Sequence, residues 1–187
     1  MAHARFGHGQ NPTLREVWQV HGTDMKVIFL DIDGVLNSDR SIFALPMREI
    51  FPGEYRLNYL LSKADPVAIA ILNKIIKETG AKIVVSSANR KVLGFDGVKQ
   101  ALLLMGVEGE VIGVTGTTGG NRGTEIQEWL DNNEVEAYVI IDDSSDMLEE
   151  QMQNFVRVDP SCGLAFPDMR KAIHILTGTP PTSFIIL

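Results

Sequence analysis

Residues 27–37 read Val27-Ile28-Phe29-Leu30-Asp31-Ile32-Asp33-Gly34-Val35-Leu36-Asn37. Four consecutive apolar residues bounded by a turn signal mark a strand buried on both faces, as in a parallel sheet. In extended backbone, residues i and i+2 point the same way, so Asp31 and Asp33 face one site while Ile32 turns to the core. Two adjacent carboxylates repel unless a cation lies between them or one is protonated. Gly34 follows the pair directly.

Outward from this strand, β-branched apolar runs alternate with segments of helical period, the pattern of βαβ units. Strands are expected at Val27 to Leu30, Ile83 to Val85, Val111 to Val114, Tyr138 to Ile141 and Phe155 to Val158. Asp65 as N-cap, Pro66 at the first helical position and Gly80 at the end bracket one helix. Thr124 and Gln127 suggest a capping box before Ile126, Trp129 and Leu130. Further helices are expected over Val98 to Met105 and Pro167 to Leu176, with a shorter one near Met147 to Gln153. Five strands and five crossovers imply an α/β, doubly wound, Rossmann-like parallel sheet. Asn37 to Ala64 is too long for a strand-to-helix loop; it reads as an insertion of partly helical pieces over the carboxyl edge of the sheet.

At about 150 residues per domain, 187 residues make one domain. It is expected to span residues 25–177, with an appendage at 1–24 carrying His3, His8 and His21, and a tail at 178–187. That tail, ending Phe184-Ile185-Ile186-Leu187, is expected to pack on the domain or on a second copy. A single cysteine, Cys162, excludes an intrachain disulfide and any multi-cysteine zinc site. With 17 basic against 24 acidic residues, net charge −7, and no basic tract, broad nonspecific binding to nucleic acid or an anionic membrane is disfavoured. No apolar run approaches the roughly 20 residues of a membrane span, and the first residues lack a secretory h-region, so a cytoplasmic location is expected. The oligomeric state is left open.

Ligands in an open parallel sheet bind beyond the carboxyl ends of its strands. There the sequence places Asp31 and Asp33 after the first strand, Ser86-Ser87 after the second, Arg122 before the fourth and Asp142-Asp143 after it. In this order the motifs resemble those of the haloacid dehalogenase-like (HAD) phosphatases. The resemblance covers about residues 25–177, and the first and fourth motifs are specific. It implies Mg²⁺ held by Asp31, Asp142 and Asp143 with the Asp33 carbonyl. It makes Asp31 the nucleophile and Asp33 the acid–base group, with Asp33 also separating phosphatases from dehalogenases. Ser86 and Arg122 would stabilise the transferring phosphoryl group, and Gly34, Ser87 and Arg90 would contact the substrate. Asp146 is an outer candidate. Hard Mg²⁺ suits such an all-oxygen set, and Arg in place of the commoner Lys still serves an electrostatic role.

The runs Val84 to Arg90, Arg122 to Ile126 and Asp159 to Leu164 resemble the small HAD domains found beside RNA-end repair enzymes and in phages. The resemblance implies a Mg²⁺-dependent phosphomonoesterase. The acidic balance favours a nucleotide or related small molecule; the small insertion, leaving an open site, favours a 3′- or 5′-phosphorylated nucleic-acid end. Arg40, Arg56 and Arg90 could touch either, though each reads more readily as a solvated surface residue. A non-catalytic phosphate-binding module is the reading from another class.

Overall fold

The computed structural model describes residues 24–117 and 119–179. The expected appendage before residue 24 and the apolar tail from residue 180 lie outside the described residues. Five parallel strands form the sheet: β1 (Lys26–Leu30), β2 (Lys82–Val85), β3 (Val111–Val114), β4 (Ala137–Asp142) and β5 (Phe155–Arg157), in the order β3-β2-β1-β4-β5. The order reverses between β1 and β4, where such sheets open a crevice for ligands. Pairing of Leu30 with Ile141 and of Leu30 with Val85 puts Asp31 between Asp142 on one side and Ser86 on the other. The backbone continues the alignment, with Asp31 N–H donating to Ile141 O and Ser86 N–H to Leu30 O.

The helices are α1 (Asp39–Ala44), α2 (Tyr55–Lys63), α3 (Pro66–Thr79), α4 (Asn89–Met105), α5 (Arg122–Asp131) and α6 (Phe166–Thr177), with a 3₁₀ segment at Glu149–Asn154. Alternation along β1 sorts the core. Ile28 and Leu30 pack with Leu72, Ile75, Val98, Leu102, Met169 and Ala172 of α3, α4 and α6. Val27 and Phe29 pack on the opposite face with Ile126, Trp129 and Leu130 of α5. Both faces are covered, which is why β1 reads as an unbroken apolar run.

Asp65 caps α3 as expected, its side chain accepting from Val67 N–H, and Gly80 closes the helix in the left-handed region at φ 67°. Three expectations need correction. The cap of α5 is Asn121, whose side chain accepts from Thr124 N–H at 2.9 Å; Thr124 is already inside the helix and Gln127 instead bonds Asp131. The helix ending at Met105 starts at Asn89 and is broken at Gly94, whose φ of 67° and ψ of −176° no helix contains. The strands have four connections, three α-helical and one 3₁₀, and the last helix follows β5. The segment between β1 and α3 holds α1 and α2. Ser38 caps α1 by accepting from Ser41 N–H.

Candidate active site

The carboxyl ends of β1 and β4 bring Asp31, Asp142 and Asp143 together, with one carboxylate oxygen of each within 4.8 Å of the others. Asp142 is fully buried and Asp31 nearly so. Burial and the neighbouring Asp31 push the Asp142 carboxyl up to about 7, despite Arg122 beside it. Burial followed by Asp31 also raises Asp143. A pocket in which carboxylates resist ionisation is one that a cation relieves. Its donors are all carboxylate oxygens, which fits a hard divalent ion such as Mg²⁺.

Arg122, the first residue of α5, reaches into this cluster. Its Nη1 lies 2.5 Å from Asp142 Oδ2 and 3.3 Å from Asp31 Oδ2. Burial disfavours the guanidinium charge, but Asp31, Asp142 and Asp146 outweigh that effect and raise its pKa. Asp146 holds the start of α5 in place, accepting from Arg122 N–H at 3.0 Å and from the Ser144 hydroxyl at 2.6 Å.

Asp33 stands outside the carboxylate trio. Its Oδ1 accepts from Asn37 Nδ2 at 2.9 Å; its Oδ2 accepts from Asn89 Nδ2 at 2.9 Å and pairs with Arg56. Arg56, weighed from sequence as a surface residue, therefore belongs to the site through α2. Asn89, an uncharged residue within the Val84 to Arg90 run, carries no sequence signal that marks it as part of the site.

Ser86 is completely buried and its Oγ has no hydrogen-bond partner. An orphaned hydroxyl costs free energy in a folded protein and calls for an explanation. Here it lies after β2 beside Asp31, suited to an incoming oxygen. Ser87 is also buried, and its Oγ accepts from Asn89 Nδ2 at 2.9 Å.

Arg90 and Gly34, expected to contact the substrate, have their donors engaged within the protein. Arg90 is 5% exposed, and all five of its N–H donors are engaged: Nε with Thr115 O, Nη1 with Ser86 O and Ser87 O, Nη2 with Gly116 O and the Glu125 carboxylate. No donor is left for a ligand. Gly34 uses its N–H within the turn, donating to Asn37 O at 3.0 Å. Its φ is +76°, and a Cβ there would lie 2.7 Å from Asp143 Cγ, so glycine makes room for Asp143. Arg40 is tied to Asp65 at 2.8 Å, away from the carboxylate trio.

No described helix is long and apolar enough to cross a membrane. The family model for the HAD domain in Swiss Army Knife RNA repair proteins matches residues 27–169. Comparison with curated proteins and with solved structures gave no match.

Proposed function

Because the chain belongs to the family of HAD domains in Swiss Army Knife RNA repair proteins, we propose that it is a Mg²⁺-dependent phosphomonoesterase acting on a terminal phosphate of RNA or of a nucleotide. The observation that carries this reading is Arg122 at 3.3 Å from Asp31 where the strand order reverses, with the unpartnered Ser86 hydroxyl at the end of the adjoining strand β2. A divalent cation on Asp31, Asp142 and Asp143 supplies neutralisation of the incoming phosphate dianion.

The remaining chemistry belongs to the chain. Asp31 attacks phosphorus in line, forming a carboxyl–phosphorus bond as the bond to the leaving oxygen breaks. Asp33 gives that oxygen its proton. In the second step Asp33 takes a proton from the attacking water, inorganic phosphate departs, and Asp31 is regenerated. Splitting one displacement into two lowers the barrier, and the acid–base help is worth about 10²–10⁴-fold. Ser86 Oγ donates to a phosphoryl oxygen. Arg122 turns part of its charge from the two aspartates onto the transferring group.

Family membership favours an RNA end, whereas the net charge of −7 favours a free nucleotide. A matched pair, mononucleotide and phosphorylated oligonucleotide, separates the two at fixed free Mg²⁺. An RNA-end enzyme should favour the oligonucleotide by about tenfold or more in kcat/KM, about 1.4 kcal/mol. That lead should shrink as salt rises, with a slope near 0.7 per contacted phosphate. Equal or better turnover of the mononucleotide with little salt dependence selects the small-molecule reading. Tight phosphate binding with no turnover of any substrate selects the binding module.

A further inference from the structure

The carboxylate of Asp33 is held by side chains from three separate elements. Asn37 reaches its Oδ1 from the turn after β1, Asn89 its Oδ2 from the start of α4, and Arg56 the same oxygen from α2. Arg56 Nε also donates to Asn89 Oδ1 at 2.6 Å, so Arg56, Asn89 and Asp33 close a ring of three hydrogen bonds. The remaining Asn89 amide hydrogen goes to Ser87 Oγ, so that amide cannot turn without losing two bonds. Behind the ring, Tyr59 lies one turn along α2, with its ring 5.0 Å below the guanidinium carbon of Arg56, a cation–π contact. Planar guanidinium, planar amide and aromatic ring together fix the orientation of the carboxylate.

We propose that Arg56 is a positioning residue that fixes the Asp33 carboxylate where the leaving group departs, which makes the α2 insertion part of the reaction machinery. The proposal rests on the phosphomonoesterase reading above. Misplacing a proton donor by an ångström forfeits much of its catalytic benefit. Lysine at position 56 would keep the charge but has one ammonium in place of two separated donors, so it cannot bond Asp33 and Asn89 in the same plane.

The test compares kcat and KM of the wild type with those of Arg56→Ala, Arg56→Lys and Asn89→Ala, using an aryl phosphate and a phosphorylated dinucleotide with saturating Mg²⁺. Arg56→Ala should lower kcat on both substrates by about 10–100-fold, within what acid–base help is worth. KM should stay within about threefold, because the lost interaction serves the transition state. Arg56→Lys should recover part of the loss. Adding Asn89→Ala to Arg56→Ala should cost less than it does alone, since the ring is already open. A kcat for Arg56→Ala within about twofold of wild type, or a loss confined to KM, overturns the proposal. If the wild-type chain turns over neither substrate, the phosphomonoesterase reading is what fails. The hold on Asp33 is then read by NMR from its Hα–Hβ couplings: averaging in Arg56→Ala but not in wild type supports it, and identical couplings in both overturn it.

Discussion

Arg90 and Glu125 form an ion pair whose side chains are only 2% and 4% exposed, joining the start of α4 to the first turn of α5. The other donors of Arg90 hold the carbonyls of Ser86, Ser87, Thr115 and Gly116, so one guanidinium pins the loops after β2 and β3. Burial lowers the Arg90 pKa, with Glu125 pulling against it. A lone charge at this depth is costly: Glu125→Ala should destabilise the fold by about 3–5 kcal/mol. Urea unfolding would show this as a lower midpoint at an unchanged m-value. A midpoint equal to that of wild type would mean that water reaches Arg90.

Asp31→Asn should abolish turnover of every phosphomonoester while leaving the melting temperature near that of wild type. The carboxylate removed lies among other acidic groups, so its loss relieves repulsion. Chelation by EDTA should give the same null rate in the wild type, restored by Mg²⁺. Single-turnover assays with both treatments decide; residual wild-type rates in Asp31→Asn would assign the nucleophile elsewhere.

Gly34→Ala meets two obstacles, the positive φ and the Asp143 carboxylate 2.7 Å from the new methyl group. The strain is about 1–3 kcal/mol, and Asp143 must move out of the trio. Calorimetric titration should find Mg²⁺ affinity weakened by about tenfold or more, as typically follows when a metal ligand is disturbed. Unchanged affinity would remove Asp143 from the metal set.

Arg40 and Asp65 give the acid limb of stability a definite sign. Burial works against the Asp65 charge, but hydrogen bonds from Arg40 and Val67 N–H, with the charge of Arg40, overcome it and hold the carboxyl below its ordinary value of 3.8. A carboxyl depressed on folding contributes stability above its unfolded pKa and loses it as pH falls through the folded value. Arg40→Ala should therefore lower the melting temperature near pH 7 by a few degrees. The gap to wild type should close as the pH falls through the depressed Asp65 value, where Asp65 becomes protonated in both proteins. A gap independent of pH would assign the effect to packing.

The strands were legible because burial on both faces leaves apolar runs with few alternatives, and α3 because Asp65, Pro66 and Gly80 each act within a few residues of their own position. The chemistry at the strand ends was legible for the same reason: Asp31, Ser86, Arg122 and Asp142 each occupy a fixed offset from an apolar run, and the sheet brings them together. Arg90 and Arg56 were not. Sequence shows a charge but not what surrounds it, and both residues find their partners far along the chain, Glu125 for one and Asp33 for the other. The cap of α5 is not legible in the sequence because Asn121 and Thr124 are both good caps; in the structure Asn121 lies outside the helix and its side chain accepts from both the N–H and the hydroxyl of Thr124.

The central position of β1 also sets a schedule for synthesis. β1 is made first, yet its partner on the Asp142 side, β4, follows only after about 110 further residues, roughly 5–20 s of translation at common rates. Until then Asp31 has no Asp142 or Arg122 beside it, and the edge of β1 that β4 will cover stands open. The nascent chain thus carries a strand of four apolar residues with one edge unpaired as its hazard, and its carboxylate trio cannot be complete before β4 has been made.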